Sequence, residues 1–295
     1  MTSVPELDQN RERDMGGLAS LAGLEAVSEQ LAGPIAVLRA EQARRKAGAA
    51  VTRAAWKNLI FTGGPGSGKT RAAKAVACIY AELGLLSGDL REIAAADLVG
   101  TTLQETGALV DEIARRGSGD LVMINDAHAW YGLPDHGRHL LRCLYKELTV
   151  SRDHSHNHSS GLSVILAGPE GPLRDMLHAN PALAARFPAV ITFPGYTAGQ
   201  LAGIFATLAG EAGFTLTPDA ARKAATVLAE AGHGAGNARL AVRLLDHATV
   251  SQARRITTVD QPSDPATLST IDAADIPAYV HAHDPPADDW PGQYL

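Results

Sequence analysis

The chain has 295 residues, of which 26 are basic and 32 acidic, so its formal net charge at pH 7 is −6. The length allows about two domains, and an apolar fraction of 45% is normal for a globular protein with a substantial core. The negative charge argues against bulk binding of nucleic acid, and the lack of any run of about 18 apolar residues argues against a membrane span.

The cysteine content and the first residues bear on the compartment. Cys78 and Cys143 are too few and too far apart for a disulfide framework or a zinc site. Residues 1–14 are polar and charged and lack the apolar segment of a signal peptide. Together these features predict a cytoplasmic protein.

Strands and helices alternate through the first two thirds of the chain. Residues 1–15 are predicted to be a disordered tail, and apolar residues then recur at helical spacing from Leu18 to Leu38. The basic, Ala-rich stretch Glu41–Lys57 is predicted to be a solvated helix or loop. This alternation over residues 16–195 indicates a parallel sheet covered by helices. Strands are predicted at Leu59–Phe61, Leu90–Ala94, Leu121–Ile124, Leu162–Ala167 and Val190–Phe193, with helices at Arg71–Leu83, Gly137–Val150 and Pro172–Ala179.

The pattern changes after Pro194, where only helical spacing is found. Residues 196–281 are therefore predicted to be a small second domain made of helices alone. Residues 282–295 are rich in Pro and Asp and are predicted to be a second disordered tail. The predicted helices are Ala198–Gly210, Pro218–Ala231, Ala235–Ala253 and Asp272–Val280.

A phosphate-binding motif lies between the first strand and the first helix of the alternating region. Residues Gly63–Thr70 read G-x-x-x-x-G-K-T. The glycines let successive N–H groups point at phosphate oxygens, and the following helix adds its positive N-terminal dipole. We expect Lys69 to reach the β- and γ-phosphates and the Thr70 hydroxyl to bind Mg²⁺. The motif predicts binding of a nucleoside triphosphate.

Short motifs elsewhere in the chain follow a fixed order. The motifs are Leu21–Leu24 with Val27 and Gln30, Asp97–Gly100, Ala167–Gly168, Asn180–Pro181, Arg186–Pro188, Phe193–Tyr196, Leu216–Pro218 and Gly236–Arg239. With the phosphate-binding loop, they resemble the CbxX/CfxQ family of AAA+ ATPases, which includes red-type Rubisco activases, a sporulation ATPase and the ATPase subunit of type VII secretion. The resemblance runs from about Gly16 to Pro277.

The resemblance implies an α/β P-loop NTPase (AAA+) domain with a parallel five-stranded sheet and a small C-terminal helical lid domain. It implies ATP and Mg²⁺ as ligands and a ring oligomer, most often a hexamer. Arg186 matches the arginine finger that reaches the nucleotide of a neighbouring subunit, although a second arginine of that motif is replaced by Ala184. Arg239 matches the lid arginine, called sensor 2, which contacts the nucleotide of its own subunit.

These inferences define the candidate site residues. The candidate catalytic residues are Asp126, Arg186 and Arg239, and the candidate metal-site residues are Thr70, Asn125 and Asp126. The candidate nucleotide-binding residues are Gly63, Gly64, Pro65, Gly66, Ser67, Gly68, Lys69, Thr70, Arg71 and Arg239.

Two segments depart from the family pattern. The family's third strand ends in Asp-Glu, where the Asp holds Mg²⁺ through water and the Glu polarises the attacking water. This chain has Asn125 and Asp126 at these positions. Asn125 keeps an acceptor oxygen but removes a charge from the metal site, and Asp126 is one methylene shorter than Glu. A displacement of a catalytic group by about 1 Å can lower the reaction rate about 10²-fold. Alternatively, Asp126 turns toward the metal, which leaves no carboxylate to polarise the attacking water. With either arrangement of Asp126, the rate of ATP hydrolysis is expected to fall more than the affinity for ATP.

The second departure is the central-channel loop, Thr101–Gln104, which lacks the family's aromatic residue. The family implies ATP hydrolysis coupled to remodelling of a protein partner. The alternative is a subunit that binds ATP but hardly hydrolyses it, possibly paired with an active AAA+ paralogue. A nucleic-acid-directed AAA+ protein is disfavoured by the net charge.

Three histidines alternate in a polar loop. In an extended segment, His154, His156 and His158 would lie on one face and suit a divalent metal. A flexible, solvated loop is the favoured interpretation of this segment.

Overall fold

The computed structural model describes residues 24–49, 57–117, 119–150, 162–231, 236–257 and 265–280. The predicted tails and the loop with His154, His156 and His158 lie outside the described residues. The chain divides into two compact units. The first contains residues up to Gly63 and Gly68–Phe193, and the second contains Gly64–Ser67 and the residues from Pro194 onward.

The first unit contains a five-stranded sheet. Its strands are β1 (Leu59–Thr62), β2 (Leu90–Ala94), β3 (Leu121–Asn125), β4 (Ser163–Gly168) and β5 (Ala189–Thr192). Every neighbouring pair of strands is parallel, and the order across the sheet is β2-β3-β4-β1-β5. All residues of β1 and β4 are buried, whereas the edge strands β2 and β5 are mostly partly or fully exposed. Central strands covered on both faces need continuous apolar sequence, which is the pattern seen here. The predicted parallel sheet is confirmed.

Helices surround this sheet, and two short 3₁₀ segments, Ala95–Leu98 and Ala127–Gly132, follow β2 and β3. The indole of Trp130 is buried, and its Nε1 donates to the carbonyl oxygen of Ala95 at 2.9 Å. This bond ties the two 3₁₀ segments together at one edge of the core. The helices are α1 (Glu25–Lys46), α2 (Lys69–Glu82), α3 (Leu103–Arg116), α4 (His136–Val150), α5 (Glu170–His178) and α6 (Pro181–Ala184).

The side chain of Gln30, on α1, covers the backbone of the edge strand β5. Its Nε2 donates to the Thr192 carbonyl at 3.0 Å, and its Oε1 accepts from the Thr192 N–H at 2.8 Å. One amide thus satisfies a donor and an acceptor that would otherwise face solvent. Covering an edge strand in this way protects it from pairing with other chains.

The second unit contains four helices among its described residues and a two-stranded parallel ribbon. The prediction of helices alone is therefore wrong in part. Within both units, no described helix is long and apolar enough to cross a membrane. The helices are α7 (Ala198–Glu211), α8 (Pro218–Glu230), α9 (Ala238–Thr257) and α10 (Pro265–Leu268), and the strands are β6 (Thr215–Leu216) and β7 (Thr270–Ile271).

The predicted helix Asp272–Val280 is also wrong, because the chain forms turns there. The Asp275 carboxylate accepts the Asp272 N–H at 2.8 Å, a local bond that competes with helix formation. Pro277 lacks an N–H and would break a helix at its centre. Ile276 and Val280 of this segment are buried without helical geometry.

A two-pronged ion pair holds this turn segment. Arg255 Nε donates to Asp275 Oδ1 at 2.9 Å and an Arg255 terminal nitrogen donates to Oδ2 at 2.8 Å, while the Asp275 side chain is 2% exposed. Burial opposes the charge of Asp275 most strongly, but the hydrogen bonds from Arg255 and Asp272 and the charge of Arg255 outweigh it and lower the pKa of Asp275. The same contacts raise the pKa of Arg255.

We predict that Asp275→Asn destabilises the second unit by about 2 kcal/mol at pH 7, because Arg255 loses a buried partner. In a unit of this size, such a loss lowers the melting temperature by roughly 8–16 °C. Since the folded pKa of Asp275 is lowered, the difference from wild type should persist above about pH 4 and shrink as the pH falls through that pKa. Scanning calorimetry at pH 7, 5 and 3 measures the difference in stability between Asp275→Asn and the wild type.

The control is Asp219→Asn, which removes the solvent-exposed ion pair of Asp219 with Arg222 in the same unit. This change should cost less than about 0.5 kcal/mol at every pH. An Asp275→Asn variant that melts like the Asp219→Asn control would contradict the proposed importance of the Arg255–Asp275 pair.

Candidate nucleotide site

The first unit carries both ends of the phosphate-binding loop. Gly63, at the end of β1, donates its N–H to the Gly168 carbonyl of β4 at 3.0 Å. Gly68 has φ +93°, a left-handed conformation that suits glycine, and α2 begins at the next residue. Lys69 Nζ donates to the Gly63 carbonyl at 2.9 Å. The backbone therefore ends a buried strand and starts a helix within a few residues, as the motif predicts.

The middle of the loop, Gly64–Ser67, groups with the second unit. Ser67 is fully buried, and its hydroxyl donates to the Gly64 carbonyl at 2.8 Å. Gly66 has φ +69°, and a Cβ atom there would lie 2.4 Å from the Gly236 carbonyl oxygen. Only glycine fits this position, because both the backbone conformation and the space exclude a side chain.

Asn237 holds this middle segment within the second unit. Its Nδ2 donates to the Pro65 carbonyl at 3.0 Å, and its Oδ1 accepts from the Tyr196 N–H at 3.1 Å. The residue is 5% exposed and has φ +50°, a conformation that asparagine tolerates better than most residues. Asn237 belongs to the motif Gly236–Arg239, and no role was predicted for it from the sequence.

Arg239 lies beside the segment Gly64–Ser67. Its Cγ lies 3.2 Å from the point where a Cβ of Gly66 would stand, and its side chain is exposed. Arg71, in the first turn of α2, is also exposed. Their roles toward a nucleotide stay predictions.

A carboxylate that the sequence analysis did not single out lies beside Thr70. Glu92, on β2, accepts a hydrogen bond from the Thr70 hydroxyl, with 2.9 Å between the two oxygens. The Asn125 amide nitrogen, at the end of β3, lies 3.5 Å from the same Glu92 oxygen. No motif marks Glu92, because charged residues such as Arg91 and Glu92 are ordinary on an exposed edge strand. Only the pairing of β2 with β3 reveals it.

These side chains fit the ligand preference of Mg²⁺, which takes hydroxyl, carboxylate and amide oxygens and keeps several waters. Among the described residues, no group of three His, Cys, Asp or Glu side chains is placed to hold a metal ion by itself. A metal held at Thr70 would therefore depend on a mixed set of donors and on phosphate oxygens.

Asp126 follows β3 in a left-handed conformation, with φ +56° and ψ +34°. Its side chain is exposed, and its carbonyl accepts the Ala129 N–H at the start of the 3₁₀ segment. Left-handed non-glycine residues are concentrated at functional sites. The water-polarising role of Asp126 stays a prediction.

Arg186 lies after α6 and packs against α4. Its guanidinium stands over the Tyr145 ring, 5.1 Å from the ring centre, and a terminal nitrogen lies 3.3 Å from the Tyr145 hydroxyl. Its Nε is buried with no hydrogen-bond partner among the described residues. Asn58 accepts the Val164 N–H and donates to the Arg186 carbonyl, which fixes the backbone at this point.

His128 fills the space left by a glycine at the end of β4. A Cβ on Gly168 would lie 3.0 Å from His128 Nδ1, and this nitrogen is buried without a hydrogen-bond partner in the described part of the chain. The sequence analysis assigned His128 no role. A side chain at position 168 would have to displace the imidazole.

Two family profiles match the chain. The profile described as ATPase family associated with various cellular activities (AAA) matches residues 59–194, and the profile of the AAA lid domain matches residues 197–285. With the parallel sheet and the loop at the end of β1, they define an α/β P-loop NTPase of the AAA+ class.

The relatives narrow this class. CbbX from Cereibacter sphaeroides is 31% identical over 265 residues, which cover 88% of this chain and 83% of CbbX. CfxQ from Xanthobacter flavus is 30% identical and covers 88% and 81% of the two chains. The chain therefore belongs to the CbxX/CfxQ family of AAA+ ATPases, which confirms the resemblance seen in its motifs.

More distant matches show how much of the chain is shared. EccA3 from Mycobacterium tuberculosis is 32% identical over 191 residues, which cover 63% of this chain but 29% of EccA3. Among solved structures, the AAA domain of FIGL-1 has a TM-score of 0.57 at 16% identity, covering 86% of this chain and 78% of that one. A Thermotoga maritima RuvB mutant has a TM-score of 0.54 at 18% identity, covering 85% and 69%. These two likenesses show the fold alone.

We predict that MgATP raises the melting temperature of the wild type but not of Lys69→Ala, because the variant loses the cation that faces the phosphates. At 100 times its dissociation constant, a ligand adds about 2.7 kcal/mol of stability. This corresponds to a rise of roughly 5–10 °C, which differential scanning fluorimetry can measure.

The control is Lys74→Ala, an exposed position on the same helix, which should keep the full shift. A wild-type melting temperature that does not change at millimolar MgATP would contradict nucleotide binding by this loop.

Proposed function

We propose that this chain is a Mg²⁺-dependent ATPase that couples ATP hydrolysis to the remodelling or assembly of a protein partner. The observation that carries the proposal is the loop Gly63–Thr70, which joins a central buried strand to the N-terminus of α2 with the Thr70 hydroxyl beside a carboxylate. A similar protein from Cyanidioschyzon merolae, 29% identical, is named ribulose bisphosphate carboxylase/oxygenase activase. That name supports a protein as the substrate.

The proposed roles follow from position. The N–H groups of the loop after Pro65 and the cation of Lys69 hold the phosphates, and Thr70 with the end of β3 holds the metal. When bound, Mg²⁺ neutralises charge on the β- and γ-phosphate oxygens. Asp126 orients the attacking water, and Arg239 contacts the phosphates of its own subunit. The proposed domains are a nucleotide domain over residues 16–195 and a lid over residues 196–281.

Arg186 is proposed to act on the nucleotide of a neighbouring subunit in a ring, most simply a hexamer. Stacking on Tyr145 and the anchored backbone would hold its guanidinium ready while its Nε keeps hydrogen-bonding capacity. An arginine delivered in this way neutralises charge in the transition state of phosphoryl transfer. The cytoplasm is the proposed location, since it supplies ATP and keeps Cys78 and Cys143 as free thiols.

A second candidate function is an ATP-binding subunit with little hydrolysis, which acts in an assembly with an active AAA+ paralogue. Two observations favour it. Asn125 brings no charge to the metal site. The predicted channel segment Thr101–Gln104 runs into the start of α3 and has no aromatic residue, and its large apolar residue is Leu103, 42% exposed. Steady-state hydrolysis by the purified chain, alone and with such a paralogue, separates the two functions. Turnover by the chain alone favours the enzyme.

We predict that Asp126→Glu raises kcat about 10-fold with little change in ATP affinity, because the added methylene extends the reach of the carboxylate toward the water. Asp126→Asn should reduce kcat at least about 10-fold relative to wild type, since a neutral amide cannot polarise the water. Steady-state kinetics and nucleotide binding are measured on the same samples. A lower kcat for Asp126→Glu would show that the native aspartate already has the correct reach.

We predict that Arg186→Ala lowers kcat by about 10³-fold while MgATP binding is kept, as expected for an arginine that acts in the transition state. Mixing this variant with the Lys69→Ala variant should restore activity, because a subunit without bound nucleotide still offers Arg186 to its neighbour. Light scattering should show oligomers in MgATP.

The matched control is Arg174→Ala, which alters an exposed arginine on α5 of the same unit. It should leave kcat unchanged. Arg186→Ala activity equal to wild type, or no recovery on mixing within confirmed oligomers, would contradict action between subunits.

A further inference from the structure

We propose that Glu92 supplies the negative charge of the Mg²⁺ site, in place of the carboxylate that the end of β3 does not carry. The inference rests on the proposed function, since it concerns the metal that accompanies ATP. P-loop NTPases hold this metal with the hydroxyl that follows the loop lysine and with an aspartate from a neighbouring strand. Here the hydroxyl is that of Thr70, and β3 ends in the neutral Asn125.

The pairing of β2 with β3 puts Glu92 on the correct face. Glu92 pairs with Met123, and Ala94 pairs with Asn125. Paired residues of parallel strands point to the same face, and side chains alternate along each strand, so Glu92 and Asn125 share a face. Glu92 stands two residues, or about 6.6 Å, short of the strand end. The side chain of glutamate is one methylene longer than that of aspartate, and this makes up part of that distance.

The distances connect Glu92 to the metal-site residues rather than to a separate surface feature. The Thr70 hydroxyl donates to Glu92 Oε2 at 2.9 Å, and the Asn125 amide is 3.5 Å from the same oxygen. Two oxygens bound at right angles to one Mg²⁺, each at about 2.1 Å, lie about 3.0 Å apart. The pair Thr70–Glu92 already has this separation. The hydroxyl can donate to the carboxylate while its lone pair faces a cation.

The charge balance also favours this assignment. Mg²⁺ is a hard cation that is bound in proteins through one or two carboxylates together with phosphate oxygens. An amide oxygen at Asn125 offers a dipole but no net charge. The carboxylate of Glu92 restores one negative charge at the same edge of the sheet, so the proposed weakness at Asn125 is offset for metal binding. Asp126 then remains available for the water.

A purely structural role for Glu92 is the competing explanation. A carboxylate near the N-terminus of α2 would stabilise the helix dipole and accept the Thr70 hydrogen bond without any metal. Glu92→Gln separates the two roles, because glutamine keeps an acceptor for Thr70 and removes the charge. Glu92 is exposed, so the substitution should leave the fold intact.

The experiment measures the Mg²⁺ dependence of binding of a fluorescent ATP analogue to the full chain, with Mn²⁺ binding followed by electron paramagnetic resonance as the second readout. Loss of a residue that supports a metal typically costs 10–100-fold in metal affinity. We expect Glu92→Gln to raise the half-saturating concentration of Mg²⁺ at least 10-fold, with nucleotide binding in EDTA unchanged. The double variant Glu92→Gln with Asn125→Asp should return to within about 3-fold of wild type, since the charge moves to β3.

Two further variants serve as controls. Glu112→Gln removes an exposed carboxylate that pairs with Arg116 on α3. It should leave the Mg²⁺ dependence of nucleotide binding unchanged. Asn125→Asp alone should gain little affinity for Mg²⁺, because it places a second carboxylate next to Glu92. Electron paramagnetic resonance should show weaker Mn²⁺ binding for Glu92→Gln only.

The outcomes are distinct. An unchanged Mg²⁺ dependence for Glu92→Gln, or no recovery in the double variant, overturns the inference. Tighter Mg²⁺ binding by Glu92→Gln also overturns it, because Glu92 would then compete with the metal for Thr70. Wild-type protein that binds no nucleotide with or without Mg²⁺ would refute the proposed function itself, whereas normal MgATP binding with an inert Glu92 refutes this inference alone.

Discussion

The parallel pairing of β1 between β4 and β5 is the constraint on which the first unit depends. Parallel strands present their carboxyl ends at one edge of the sheet, where ligands of open α/β sheets bind. Gly63, Asn125 and Gly168 stand at the ends of three different strands on that edge. Each residue reaches the edge because the strand before it is buried and cannot shift its register without exposing apolar side chains.

The groups at this edge come from several elements, and they differ in charge. The ends of β3 and β4 contribute an amide and a glycine, whereas the carboxylate next to the Thr70 hydroxyl comes from β2. An exposed edge strand can exchange a polar side chain at little cost in packing, since Glu92 is not part of the core. A charge lost on a central strand can therefore be replaced from its neighbour without disturbing the sheet.

The second unit depends on polar side chains that bind backbone. Asn237 satisfies the Pro65 carbonyl and the Tyr196 N–H, and Asp275 satisfies the Asp272 N–H while it pairs with Arg255. Buried polar groups of this kind cost free energy when one partner is removed. The small apolar core of this unit is thus supplemented by a few bonds that fix its turns.

The sequence by itself determined the sheet, the phosphate-binding loop and the family, because apolar runs, the spacing from Gly63 to Thr70 and the order of motifs are local properties. The tertiary structure decided what depends on pairing between distant segments. It placed Glu92 beside Thr70 and Tyr145 beneath Arg186, and it replaced the predicted helix Asp272–Val280 with turns. Strand register and an ion pair 20 residues apart in sequence set these positions, and neither leaves a periodic signal along the chain.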